Sequence, residues 1–286
     1  MAMKKINLIW QTFEGDQTNF ELEYIEGVLF SEIDHDKFFD GGSFSTVLDN
    51  SVIIYSSLRG NVSQEFLNYL NSFVQKGFTF YLLHLSNERP DDPCKYYSLA
   101  NHVFRSYYSP DMERDNVTFI PLGFKSGFLN KSREVNSCES KTISASFIGQ
   151  PKSDRGELIE VLEKIELSFV HKTNSWNCST SLSQDECIEI YKKSKYAPCP
   201  MGWVHPDSFR IMESLEWGCV PIIKKHNGVD YFQNIFPEHP IPVVSSWGEI
   251  SGIINSEDYC FLRQKVHEWY LRYIEDLKQR IKNKIK

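Results

Sequence analysis

The sequence predicts an α/β protein built from two Rossmann-like, doubly wound domains. Short apolar runs alternate with helical patterns along most of the 286 residues, an order typical of parallel sheets joined by helices. The alternation restarts after a polar, aperiodic stretch at residues 131–141, which indicates a linker. A long run of helical periodicity then closes the chain.

These observations divide the chain into four parts. We expect an N-terminal domain over residues 1–130, the linker over 131–141, a C-terminal domain over 142–258 and a long helix over 259–286. A chain of this length with 41% hydrophobic residues can bury the cores of two small domains. The aromatic side of the last helix is expected to pack as core across the domains, with Phe261, Trp269, Tyr270 and Tyr273.

Composition narrows the possible partners. The net charge of −7 and the pI of about 5.7 argue against nucleic acid as the main partner. No stretch approaches the roughly 20 apolar residues of a membrane span, and the first residues lead into an apolar strand instead of a signal peptide. The seven cysteines form no CxxC pair, so we expect reduced thiols and a cytoplasmic protein.

In the N-terminal domain, polar residues follow two predicted strands. The strand at residues 6–10 precedes a loop with Glu14 and Asp16, and the strand at residues 78–85 runs into His84-Leu85-Ser86-Asn87-Glu88. Ligands of open α/β sheets bind beyond the carboxyl ends of the strands. Both segments are therefore candidates for a site, although the first loop fits a charged surface turn equally well.

Asp34-His35-Asp36 is an Asp-x-Asp triplet of the kind that some glycosyltransferases use to hold a metal. Such triplets are common by chance, and this one has no apolar strand before it to aim the carboxylates. We therefore expect no metal at this position. Residues 20–30 and 63–75 are predicted helices on either side of it, and Gly77 ends the second.

Residues 194–225 predict a strand, a glycine-containing loop, a helix and a second strand. Arg210 and Glu213 share one face of that helix near its N-terminus, where free N–H groups favour an anion. Ser208 starts the helix, and Gly202 allows backbone to approach a ligand. The two side chains could bind a nucleoside diphosphate, with the arginine bound to a phosphate and the glutamate accepting hydrogen bonds from ribose hydroxyls. The alternative is an ordinary ion pair on the helix.

A second cationic loop follows the strand at residues 142–148. Lys152 and Arg155 lie there beside a predicted helix N-terminus, which suits a diphosphate. The loop is not a GxGxxG sequence, so dinucleotide binding is not indicated. The alternative interpretation is a basic surface turn.

Several motifs together resemble the exostosin-like glycosyltransferases. The donor-binding signature of that family is similar to Ser208-Phe209-Arg210, Glu213-Ser214-Leu215 and Gly218-Cys219-Val220-Pro221. Upstream elements of the family resemble His84-Leu85-Ser86-Asn87-Glu88 and Pro121-Leu122-Gly123. The matches run in order over residues 80–225, and Asn87 stands where the family pattern has Asp.

The resemblance implies a GT-B fold, with the two domains facing across a cleft, and a donor site that includes Phe209. It implies an inverting glycosyltransferase that moves a sugar from a UDP-sugar, with UDP-xylose as the first choice, to a glycan hydroxyl. The UDP-sugar is a co-substrate, and no separate cofactor or metal is expected. The alternative is a catalytically inactive relative that binds a glycan or nucleotide sugar.

An inverting transfer needs one base to deprotonate the acceptor hydroxyl. We expect it in the N-terminal domain, where Glu14 and Glu88 are preferred over Asp16. The leaving diphosphate would be stabilised by Arg210, by the helix that begins near Ser208, and by Lys152 or Arg155.

Overall fold

The computed structural model describes residues 4–11, 20–57, 62–88, 93–175, 179–255 and 258–285. The chain divides into two compact units. The first comprises Met1–Leu122 and Ile274–Lys286, and the second comprises Gly123–Tyr273. The stretch predicted as a linker lies inside the second unit, because Arg133 pairs there with Glu216.

The first unit is built on a parallel sheet, which in the described residues has six strands in the order β2-β1-β3-β4-β5-β6. Strands β3 and β4 are buried along their whole length, as expected for central strands covered on both faces. The strands are β1 (Ile6–Gln11), β2 (His35–Phe39), β3 (Ser51–Ser56), β4 (Phe80–Leu85), β5 (His102–Arg105) and β6 (Val117–Phe119).

Two helical segments of the first unit follow the sequence pattern to different degrees. The predicted helix at residues 20–30 is a short α1 (Leu22–Tyr24) that continues as a π-helix, Ile25–Leu29. The predicted helix at 63–75 is confirmed as α2 (Gln64–Lys76). The Ser63 hydroxyl accepts from the Phe66 amide at its start, and Gly77 ends it in the left-handed conformation.

The second unit contains a parallel sheet in the order β11-β10-β9-β7-β8, counted over the described residues. Its alternation of parallel strands and helices agrees with the predicted α/β architecture. The elements are β7 (Ile143–Gly149), α3 (Arg155–Leu162), β8 (Phe169–Lys172), α4 (Gln184–Lys193), β9 (Ser194–Pro198), α5 (Phe209–Glu216), β10 (Val220–Lys224), β11 (Val243–Val244) and α6 (Ile250–Ile254).

The predicted C-terminal helix is confirmed as α7 (Tyr259–Lys284). Trp269 and Tyr273 are buried and pack against Phe236 of the second unit. Phe261 was expected in the core, but its side chain is 71% exposed. It lies two positions after the buried Tyr259 and therefore points to the opposite side of the helix. Packing of this helix across the domains stays a prediction.

The expectation that all cysteines are unpaired is wrong at one pair. Cys138 and Cys260 form a disulfide, with their Cα atoms 5.7 Å apart. The two residues are separated by 122 positions in the sequence, so no local spacing could have indicated the pairing. The free thiols among the described residues are those of Cys94, Cys187, Cys199 and Cys219.

Within the described ranges, no helix combines the length and the apolar character needed to cross a membrane.

Candidate functional site

The loop between β9 and α5 leaves the N-terminus of α5 without a side-chain cap. Ser208 is the N-cap residue, with extended backbone angles (φ −149°, ψ 152°), yet its hydroxyl caps nothing. The buried Ser208 Oγ has no hydrogen-bond partner among the described residues. The preceding loop is held by the Gly202 amide, which donates to the His205 carbonyl over 2.7 Å. The first turn of α5 therefore has backbone N–H groups that no side chain caps, and such groups favour an anion at a helix N-terminus.

Arg210 reaches from the first turn of α5 to the end of β7. Its Nε donates to the Ile148 carbonyl over 3.1 Å, and its guanidinium lies 5.4 Å from the centre of the Phe147 ring. A Cβ atom at Gly149 would lie only 2.5 Å from Nη2 of Arg210, so this position of the guanidinium depends on glycine there. The bond to Ile148 uses one donor, and the other guanidinium donors remain to bind an anion.

Glu213 lies one turn further along α5 and is only 5% exposed. Burial raises the pKa of its carboxyl, while the charges of Lys125 and Arg210 and hydrogen bonds from the Lys125 backbone and the Tyr191 hydroxyl oppose the rise. Its Oε1 has no partner within the described part of the chain. A buried acceptor without a donor is costly.

The alternative interpretation of Arg210 and Glu213 as an ordinary helix ion pair is not supported. No ion pair joins the two side chains in the described ranges, where Arg210 is held by Ile148 and Phe147. Both residues lie on α5, as the sequence predicts, and their role in binding a ligand stays a prediction.

The two candidate diphosphate-binding residues of the loop after β7 have different environments. Arg155 is nearly buried, and its guanidinium donates to the Met201 carbonyl over 2.8 Å and to the Gly202 carbonyl over 2.9 Å. Arg155 thus anchors the Gly202 loop through bonds that direct it toward the protein. Lys152 is exposed beside it. A Cβ at Gly202 would approach the Asp207 carbonyl oxygen to 3.1 Å, so this tight loop favours glycine.

The base candidates of the N-terminal domain are only partly described. Glu14 and Asp16 lie outside the described residues. Glu88 follows β4, and its Oε1 accepts from the Tyr107 hydroxyl over 3.3 Å. Glu21, which no sequence pattern singles out, is 4% exposed. Burial raises the pKa of its carboxyl to about 8, against an opposing hydrogen bond with Ser86, the residue after β4.

Glu21 could not be recognised from sequence because it reads as one polar residue of an amphipathic segment. The one structural sign beside it is Ser86, a non-glycine residue with φ of 58°. Such strained positions often lie at functional sites.

The Asp34-His35-Asp36 triplet lies at the start of β2, and Asp36 is exposed and pairs with Lys5 over 2.6 Å. In the parts of the chain that the structure describes, no group of three or more His, Cys, Asp or Glu side chains is arranged to hold a metal ion.

Comparisons with known proteins agree with this architecture. A family model described as the RXYLT1 C-terminal domain matches residues 126–286, more than half of the chain. The fold is similar to that of Alr3699/HepE from Anabaena in complex with UDP-glucose, at 11% identity and a TM-score of 0.55, over 98% of each chain. A structure of the same protein with UDP gives 10% identity and a TM-score of 0.52, over 98% of this chain and 99% of that one.

At these identities the likeness concerns the fold, which is of the GT-B type. No sequence of a curated protein matches the chain significantly.

Proposed function

The chain belongs to the RXYLT1 C-terminal domain family, and on that premise we propose that it is a glycosyltransferase that moves a sugar from a UDP-sugar to a glycan hydroxyl. UDP-xylose is the first choice of donor. The observation that carries the proposal is that Arg210, the uncapped helix N-terminus and the unpaired, buried Oε1 of Glu213 lie within the first turns of one helix, α5. The fold of a protein crystallised with UDP-glucose supports the same choice of donor class.

The chemistry assigns a distinct task to each group of this surface. The guanidinium of Arg210 and the backbone N–H groups of α5 would hold the diphosphate and stabilise the charge that develops on it as the glycosidic bond to the donor breaks. Glu213 would accept from a hydroxyl of the nucleotide or sugar. Arg155 would act indirectly, by fixing the loop at Gly202. We propose that the reaction inverts the anomeric centre and needs no metal.

The base would be a carboxylate of the N-terminal domain. Glu14, Glu88 and Asp16 remain candidates, and Glu21 joins them because the pKa of its carboxyl, raised to about 8, suits proton transfer near neutral pH. Four single Glu→Gln or Asp→Asn variants distinguish them. The base is the position at which the variant loses turnover and keeps its affinity for UDP.

Turnover with a panel of UDP-sugars tests the proposal. Purified protein is incubated with UDP-xylose, UDP-glucose and UDP-glucuronate, and the release of UDP is measured with and without EDTA. We expect release from at least one donor, unchanged by EDTA. Affinity for UDP without turnover of any donor, with glycan acceptors included, would favour the catalytically inactive relative. Loss of activity in EDTA and its recovery with a divalent ion would contradict metal independence.

A further inference from the structure

A row of buried side chains crosses the sheet of the first unit at the carboxyl ends of its strands. Parallel pairing places Tyr55 of β3 beside His84 of β4, and His84 beside Arg105 of β5. The rings of Tyr55 and His84 stack 4.4 Å apart. His84 and Arg105 are fully buried. None of these residues belongs to the nucleotide surface proposed above, which is built from residues of the second unit.

Arg105 is a buried cation whose contacts in the described residues carry no negative charge. Its Nη1 donates to the Tyr97 hydroxyl over 2.8 Å and lies 3.2 Å from Nδ1 of His84. Its Nη2 lies 3.5 Å from the Asn87 carbonyl, and its Nε has no partner there. A buried charge without a counter-charge is costly, so an anion near this network would be favoured.

The donor-only guanidinium favours one direction for the hydrogen bonds around His84. The donor-only Nη1 of Arg105 lies 3.2 Å from His84 Nδ1, so a proton on Nδ1 would face another donor. The Tyr97 hydroxyl, which accepts from Arg105, therefore donates its own proton to His84 Nδ1, 2.5 Å away. Nδ1 is then an acceptor, and the ring proton must be on Nε2. The pKa of His84 lies well below its usual value because of burial and the charge of Arg105, so the ring is neutral. Nε2–H therefore donates to Ser57 Oγ, 2.6 Å away.

Ser57, which follows β3 and is half-buried, stands at the end of this chain of donors. Its oxygen accepts from His84 and also from the side-chain amide of Asn87 over 3.2 Å. With both lone pairs used, the Ser57 hydroxyl proton must be donated, and no acceptor for it lies among the described residues. A 180° flip of the Asn87 side-chain amide would exchange its oxygen and nitrogen. Ser57 could then donate to the Asn87 oxygen, but the Asn87 NH₂ group would have no acceptor. Either arrangement leaves an unused donor.

We propose that the carboxyl edge of this sheet is an oxyanion-binding site, in which Ser57, oriented as a donor by the Arg105–Tyr97–His84 network, hydrogen-bonds a phosphate or carboxylate oxygen of a ligand. The positive charge at the far end of the network strengthens the donor through cooperative hydrogen bonding in a buried environment. This inference does not depend on the nucleotide site in the second unit.

Nuclear magnetic resonance of the His84 ring tests the site directly. The ¹⁵N signals of the ring, identified by their loss in His84→Gln, are expected to show a protonated Nε2 and an unprotonated Nδ1. Inorganic phosphate and acetate are titrated separately at constant ionic strength. The titrations are repeated in Arg210→Ala, so that binding at the nucleotide surface cannot produce the response. A saturable shift with phosphate, with acetate, or with both is expected, and comparison of the two anions identifies the preferred group.

Three variants complete the test. Ser57→Ala should weaken anion binding about tenfold, because a hydrogen bond to a charged group is lost, whereas Ser57→Thr keeps the hydroxyl and should keep the binding. Asn87→Asp places a carboxylate beside Ser57 and should raise the melting temperature while weakening anion binding. The proposal is overturned by a protonated Nδ1, by the absence of a response to both anions, or by an equal response in Ser57→Ala. UDP affinity, measured in parallel, reports separately on the proposed function.

Discussion

Arg210 depends on the absence of a side chain at Gly149. In Gly149→Ala the new Cβ would lie 2.5 Å from Nη2 of Arg210, so the guanidinium must move. We expect calorimetry to show about a tenfold loss of UDP affinity, because the displaced guanidinium would no longer face the diphosphate. Gly156→Ala is the matched control, since its Cβ meets nothing within 4 Å and alanine favours the α3 helix. Unchanged UDP affinity in Gly149→Ala would argue against the role of Arg210.

The raised pKa of the Glu21 carboxyl should make the stability of the protein depend on pH. The pKa of its carboxyl is about 8 in the folded protein, against a usual value of 4.5. The folded state therefore holds a proton that the unfolded chain releases, and stability is lost as the pH rises from about 4.5 to about 8. At one pKa unit per roughly 1.4 kcal/mol, the loss is at most about 5 kcal/mol.

Chemical denaturation across this pH range measures the effect. Glu21→Gln cannot ionise, so the difference in unfolding free energy between it and the wild type should grow in favour of the variant as the pH rises. Glu160→Gln, at an exposed position of α3, is the control. Parallel stability curves for wild type and Glu21→Gln would show that Glu21 titrates normally.

Helix α5 is tied into the second unit by a pair at its end. The guanidinium of Arg133 donates to the Glu216 carboxylate over 2.8 Å, and the Glu216 side chain is fully buried. Removal of one partner of a buried pair costs about 3–5 kcal/mol, because the other charge stays buried. We expect Arg133→Ala to lower the unfolding free energy by that amount and Arg133→Lys by less. A loss below about 1 kcal/mol, the range of surface pairs, would contradict this account.

The disulfide between Cys138 and Cys260 joins the start of α7 to the segment before β7. A crosslink over a long loop typically stabilises a protein by about 2–4 kcal/mol, chiefly through the unfolded chain. Cys138→Ser should lower the melting temperature under non-reducing conditions, and a reductant should have the same effect on the wild type. Cys187→Ser is the control, because Cys187 is a free thiol. Non-reducing peptide mapping that finds no link between Cys138 and Cys260 would rule the disulfide out.

On the scale of the whole molecule, the fold was predictable because its signals are local. Apolar runs in the sequence predict the strands, and the capping residues Ser63 and Gly77 predict the limits of α2. The placement of Arg210 and Glu213 on one helix was predictable for the same reason, because their spacing is local. The cleft between the domains, the donor sugar and the identity of the base stay predictions.

What the sequence could not show depends on contacts between distant positions. The partners in the Cys138–Cys260 disulfide are 122 residues apart, and Arg133 and Glu216 are separated by 83. The burial of Glu21 likewise depends on tertiary packing. The Ser57–His84 hydrogen bond joins the ends of two strands that become neighbours only when the sheet forms. Such groups carry no periodicity and no motif that would mark them in advance.

The start of α5 is proposed to bind a nucleoside diphosphate through Arg210, and titration with UDP, GDP and CMP can show whether it does. Wild type, Arg210→Ala and the control Arg272→Ala, which removes an exposed charge from α7, are compared by calorimetry and thermal unfolding. We expect UDP to stabilise the wild type and the control by about 2.7 kcal/mol at roughly 100 times its Kd, and to have no effect on Arg210→Ala. Equal UDP binding by Arg210→Ala, or no response of the wild type to any nucleotide, would contradict the account.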